Sequence, residues 1–181
     1  MENYSSTPKI EIVEVFRFLA ALSIVFVHIP IVAVGNFGVD IFFVISGFVM
    51  MVATHKNYSS FFTKRLIRIL PTYYLFTVGV FLISFLAPSL LNYTTANWLH
   101  LIKSLLFVPF DKNGAGHYPI LFLGWTLNYE MYFYALFAIA LKISHKYRAS
   151  ITTFFIFIIW LSLNNIKSYP LSIYGSAIVF E

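Results

Sequence analysis

The sequence contains no cysteine. No disulfide framework, thiolate nucleophile or cysteine-based metal site is therefore available to it. Charge is also scarce. Asp, Glu, Lys and Arg make up 10% of the 181 residues, against about a quarter in soluble domains. No two histidines have zinc-ligand spacing, so no metal is expected. No basic run is interleaved with aromatics, so no nucleic-acid groove is expected. No internal repeat or low-complexity tract is present. No small-residue cleavage site follows the first apolar stretch, and Arg17 and His28 interrupt it, so it reads as a retained span and not a signal peptide.

What fills the chain instead is apolar: 60% of residues are hydrophobic and 20% aromatic. A chain of this length cannot hide that much apolar surface from water in one core, so the lipid bilayer must cover it. The expected fold is all-α, a polytopic transmembrane helix bundle forming a single membrane-embedded domain over residues 1–181. Spans are expected at about 13–34, 39–54, 69–87, 120–141 and 151–164. Pro71 falls in the first turn of the third span, where a missing N–H costs least. Residues 55–68 form a polar, basic loop that runs into that helix, with Lys64, Arg65 and Arg68 at its cytoplasmic start. Trp98 to Phe107 has helical spacing with His100 and Lys103 on it, and suits an amphipathic interfacial helix. His55, His100 and His145 read as loop or interface residues, while His117, in an outside loop, could meet a polar acceptor. Leu171 to Glu181 opens a sixth apolar segment too short to cross a bilayer at 1.5 Å per residue, so the chain is expected to be truncated.

The net charge of +5 reads as cytoplasmic anchoring charge. With the N-terminus inside, the inside segments hold Lys9, Arg17, Lys56, Lys64, Arg65, Arg68, Lys142, Lys146 and Arg148. The outside segments hold Lys103, Lys112 and Lys167. That asymmetry favours a cytoplasmic N-terminus.

Ionisable groups within spans are expensive and are functional candidates by default. Arg17 and His28 stand eleven residues apart, about 20° past three full helical turns, so they share one face roughly 16 Å apart along the axis. Arg suits phosphate through its permanent, bidentate charge. His suits proton abstraction because it titrates near neutrality. The structural alternative is a snorkelling anchor and an interhelical hydrogen bond. Arg65 and Arg68, at i and i+3, could grip the phosphates of a cytosolic ligand or serve as ordinary anchors. Asp40 opens the second span, where the helix dipole favours it. Ser46-Gly47 permits close helix approach. Glu130 lies in an apolar, tyrosine-rich stretch where a carboxylate must be neutral or paired. It could orient a histidine, bind a hydroxyl, or form a structural bond with a tyrosine.

These motifs, in this order, resemble the acyltransferase-3 family of membrane O-acyltransferases. The resemblance rests on Arg17 and His28, then Gly38-Val39-Asp40-Ile41-Phe42-Phe43-Val44-Ile45-Ser46-Gly47-Phe48. It continues with Arg65-x-x-Arg68-Ile69-x-Pro71-x-Tyr73-Tyr74, then Gly124-Trp125-Thr126-Leu127-x-Tyr129-Glu130-x-x-Phe133-Tyr134. Thr126 stands where Ser is commoner, which keeps the hydroxyl. Ser104 to Pro109 and Gly124 to Tyr134 carry a nearer likeness to bacterial exopolysaccharide acetyltransferases. The likeness covers about the first half of a family member, which has about ten spans. It implies transfer of an acyl group, commonly acetyl, from cytosolic acyl-CoA to a carbohydrate hydroxyl across a bacterial inner membrane. It implies a catalytic role for His28 and Glu130. It implies donor or substrate contacts for Arg17, Asp40, Ser46, Arg65, Arg68, Trp125 and Tyr134. A non-catalytic membrane fragment, or a transporter or flippase of carbohydrate precursors, remains the alternative.

Overall fold

The computed structural model describes residues 11–27, 37–56, 58–91, 94, 96–109 and 118–165. Among them every regular element is helical. The chain divides into two compact units, the first ending at Asn57 and the second beginning at Tyr58.

The first unit is a pair of packed helices, α1 (Glu11–Val27) and α2 (Phe37–Ala53). Ala20, Ile45 and Met50 are buried, while Val15, Phe18, Val44 and Phe48 face outward. α2 ends where Thr54 folds its hydroxyl back onto the Met50 carbonyl, 2.7 Å away. Among the described residues a Cβ added at Gly47 meets nothing within 4 Å.

The second unit is built on α3 (Phe61–Leu86). At 26 residues it is the one helix among the described residues long and apolar enough to cross a membrane. It is followed by α4 (Trp98–Leu105), α5 (Trp125–Ile143) and α6 (Arg148–Leu163). Short 3₁₀ turns at Pro88–Leu90 and Phe122–Gly124 precede α4 and α5. α3 begins well before the expected span, so Lys64, Arg65 and Arg68 lie within the helix. Pro71 consequently lies inside the helix and not in its first turn. A helix among apolar neighbours keeps its other backbone bonds at such a proline, because no water competes for them. α5 starts at Trp125 and not at residue 120, because the 3₁₀ turn takes up the preceding residues. α6 starts three residues early, at Arg148. The segment 171–181, expected to open a sixth span, lies outside the described residues.

α3 and α5 run antiparallel. Phe61, at the start of α3, packs on Phe137 (ring centroids 5.3 Å apart) and edge-on to Tyr134 (6.1 Å). One long stretch further along, Tyr73 lies against Gly124. Beyond Gly124 the C-terminal half of α3 is covered by α4, which doubles back along it. Trp98 packs on Phe81 at 4.8 Å. Tyr73 donates its hydroxyl to the Ser104 carbonyl (2.9 Å), and Tyr74 to that of Leu105 (3.0 Å).

The buried core of this unit is largely apolar but takes in polar side chains, and many large apolar side chains are exposed. The inward stripe of α3 is Tyr73, Thr77, Phe81 and Ser84, while Leu75, Phe76, Val78, Leu82, Phe85 and Leu86 point outward. α4 does the same. His100 and Ser104 are buried, and Trp98, Leu99, Ile102 and Leu106 are exposed. The Asn97 side chain caps α4 by accepting from the His100 amide. The ring Nε2–H of His100 donates to the Tyr118 carbonyl (3.0 Å), and Ser104 Oγ accepts from the Ile120 amide (3.0 Å). An interfacial helix would turn its polar face to water. This one turns it inward and satisfies it there, as burial requires.

α4 closes in a Schellman motif: Phe107 donates to the Ser104 carbonyl and Val108 to that of Lys103. Phe107 therefore takes the left-handed conformation, with φ 56°. An L-residue loses about 1–2 kcal/mol there. The ring stacks on Tyr73 with centroids 4.9 Å apart, which offsets that cost.

Two glycine substitutions test this packing. A Cβ at Gly124 would stand 2.7 Å from Tyr73 Cε2 and 3.2 Å from Pro119 Cγ. Gly124→Ala is expected to lower stability by about 1–3 kcal/mol. Gly47→Ala, in open space on a helix, is expected to be neutral or stabilising by up to about 1 kcal/mol. Thermal unfolding of the detergent-solubilised protein measures both, and equal losses would contradict the packing described.

Candidate functional site

The antiparallel register of α3 and α5 sets residues distant in sequence at one height. Tyr134 is level with the first turn of α3, and Glu130 lies one turn further along α5. That puts Glu130 beside the stretch of α3 that carries Arg65 and Arg68.

The side chains close this layer. The Tyr134 hydroxyl donates to Glu130 Oε1. A carboxylate bonded in this way is held in one orientation and takes a charge-assisted bond. Tyr134 is almost wholly buried, and Glu130 is half-buried. Arg65 lies over the ring of Tyr134, its Cζ 5.6 Å from the centroid, and over the ring of Phe61 at 5.5 Å. The guanidinium thus rests on two aromatic faces while its N–H groups stay available to an anion. Arg68, one turn on, is exposed. The two arginines that looked alike in sequence therefore differ: one is seated on rings and the other projects freely from the helix.

Trp125 and Tyr129 form an edge-to-face pair at the start of α5, with centroids 6.2 Å apart. Thr126 donates its hydroxyl to the Leu123 carbonyl at 3.4 Å, a long bond at the helix start. One turn on, Asn128 is buried, and its side-chain carbonyl has no hydrogen-bond partner among the described residues. Sequence reasoning passed over Asn128. Its place between Trp125 and Glu130 in the motif was the signal available.

In the first unit, Arg17 falls on α1, and its side chain lies outside the described residues. His28 and His117 lie outside them altogether. Asp40 sits in the first turn of α2 and is half-buried, as is Ser46. Among the described residues no three His, Asp or Glu side chains gather to hold a metal ion. His145 and Arg148, read from sequence as a loop residue and an anchoring charge, are tied into the fold. The ring of His145 packs on Tyr58 at 4.8 Å, and buried Arg148 donates to the His145 carbonyl.

Chemically, the layer offers a fixed carboxylate, a tyrosine hydroxyl and two guanidinium groups. That set can bind an anion and orient or deprotonate a neighbouring group.

Residues 10–180 match the family described as an acyltransferase domain, Acyl_transf_3. The chain is 40% identical over 124 residues to the exopolysaccharide production protein ExoZ of Rhizobium meliloti (strain 1021). That match takes in 66% of this chain and 38% of that protein, so the chain spans well under two thirds of its relative's length. No solved structure matches the chain.

The layer makes unequal demands on its members. Tyr134→Phe is expected to cost about 1.5–3 kcal/mol, the range for a hydrogen bond to a charged group. Arg65→Ala is expected to cost about 1 kcal/mol through lost ring contacts, and Arg68→Ala no more than about 0.5 kcal/mol. Denaturation of the three variants in detergent gives the order, and equal losses for the two arginines would refute the seating of Arg65.

Proposed function

Given that this chain belongs to the acyltransferase domain family, we propose that it is a membrane O-acyltransferase that acts in exopolysaccharide production. Its donor is cytosolic acyl-CoA, with acetyl as the group transferred, and its acceptor is a carbohydrate hydroxyl. The observation that carries this reading is the joining of Arg65, Tyr134 and Glu130 in one layer of the second unit. These residues come from two separate motifs of the family resemblance, and packing brings them together.

The outward apolar faces of α3 and α4 support a bilayer setting, since they call for a non-aqueous neighbour. We assign the chain five spans, with its N-terminus in the cytoplasm of a bacterial cell bounded by its inner membrane. The lysine and arginine distribution supports that orientation.

In this scheme Arg17, Arg65 and Arg68 hold the phosphates of the donor. His28 handles the proton or the acyl group, and Glu130, held by Tyr134, orients a reacting group. Asp40, Ser46 and Trp125 are assigned contacts with the substrates. As His28 or a relay takes the proton of the sugar hydroxyl, that oxygen attacks the thioester carbonyl. The C–S bond then breaks, and the thiolate of CoA leaves and is protonated. A general base contributes about 10²–10⁴-fold to such a step.

The test is transfer of labelled acetyl from acetyl-CoA to exopolysaccharide in membranes containing the chain. His28→Ala and Glu130→Gln are expected to lower the rate by at least about 100-fold. Unchanged transfer in His28→Ala would remove histidine from the mechanism. Absence of transfer by the unsubstituted chain would refute the activity for this chain.

A further inference from the structure

One end of the second unit concentrates positively charged residues. The residues 58–68 and 141–150 contain Lys64, Arg65, Arg68, Lys142, His145, Lys146 and Arg148, and no Asp or Glu. One ring contact joins these segments directly, and a second ties the first segment to α5 just ahead of the other. The Tyr58 ring packs on that of His145, and Phe61 packs on Phe137. Arg148, buried at the start of α6, fixes the turn between α5 and α6 by donating to the His145 carbonyl.

The cations are not arranged as a flat belt. From Lys142 to Tyr134 is eight residues of α5, and from Arg65 to Arg68 a further three of α3. The column is therefore roughly 16 Å tall at 1.5 Å per residue. It starts at the exposed side chains of Lys142 and Lys146 and ends at Arg68, which helix register sets at about the height of Glu130. Charges that only anchor a protein to lipid headgroups gather at one height. A column that leads to a carboxylate–tyrosine pair suits an elongated polyanion whose far end reacts. At its outer end Tyr58, about half exposed, offers an aromatic surface packed at a tilt on His145. Such a surface suits a purine base.

We propose that the turn at 142–148, together with Tyr58, forms the nucleotide-binding part of the donor site. Tyr58 and His145 seat the base. Lys142 and Lys146 take the outer phosphates, and Arg65 and Arg68 take the inner ones. The chemistry recognised is that of a phosphorylated adenosine diphosphate, the handle of CoA. This proposal rests on the acyl-CoA reading above.

The experiment is equilibrium binding of labelled CoA, and of acetylpantetheine, to the chain in nanodiscs of zwitterionic phosphatidylcholine. The double variant Lys142→Gln/Lys146→Gln removes two exposed charges and leaves the core untouched. It is expected to weaken CoA roughly three- to tenfold, as two partly screened contacts would, and to leave acetylpantetheine unchanged. Tyr58→Ala is expected to weaken CoA while Tyr58→Phe restores it. An unchanged CoA affinity in the double variant would overturn the proposal. So would loss of binding to phosphatidylglycerol vesicles with CoA affinity intact, which would assign the cluster to lipid headgroups. A chain that binds CoA in this pattern yet transfers no acetyl would keep this inference and sink the proposed activity. A chain that binds no CoA would sink the inference itself.

Discussion

The antiparallel seating of α3 on α5 is the contact on which the second unit depends. It is pinned at two places of opposite character. At one end Phe61 inserts between Tyr134 and Phe137. At the other Gly124 leaves room for the Tyr73 ring, which a single methyl would displace. Two such points fix both register and direction. Register then decides that Glu130 stands level with Arg65 and Arg68, and direction decides that the turn 142–148 lies at the end where α3 begins. A slip of one turn would carry the carboxylate past the arginines and dissolve the layer.

Tyr73 links this contact to the other half of α3. It meets Gly124, stacks on Phe107 and donates to the Ser104 carbonyl. Through it the left-handed Phe107, the end of α4 and the start of α5 share one support. The polar bonds of α4 point the same way, inward. Where the surroundings are apolar, an unpaired donor is costly and an exposed leucine is not. That is why His100 and Ser104 can be buried and bonded while Trp98 and Leu99 are exposed.

Motif order and composition made the all-helical class, the general helix positions and the family legible without coordinates. Arg65, Tyr134 and Glu130 were each singled out from sequence. Their union was not, because Arg65 stands more than sixty residues from Glu130 and Tyr134, and helical periodicity relates only neighbours on one helix. Boundaries were misjudged where composition misleads. Lys64, Arg65 and Arg68 precede the apolar run and are helical, because straight-chain basic residues are good helix formers. Pro71 was placed at a helix start because the apolar run begins beside it. His145 and Arg148 drew little attention because a basic turn after a span is ordinary. Their contacts with Tyr58 and with each other come from packing.

The sequence by itself determined that the chain is helical and rich in apolar surface, that its positive charge lies in particular segments, and that it carries the motifs of an acyltransferase family. These properties follow from residue type and local spacing, which need no folding to exist. Only the tertiary structure decided that a tyrosine carries an arginine on its ring and a carboxylate on its hydroxyl. It also decided that two basic segments meet at one end through the packed rings of Tyr58 and His145. Those relations depend on the register between helices, and a few aromatic contacts and one glycine set that register.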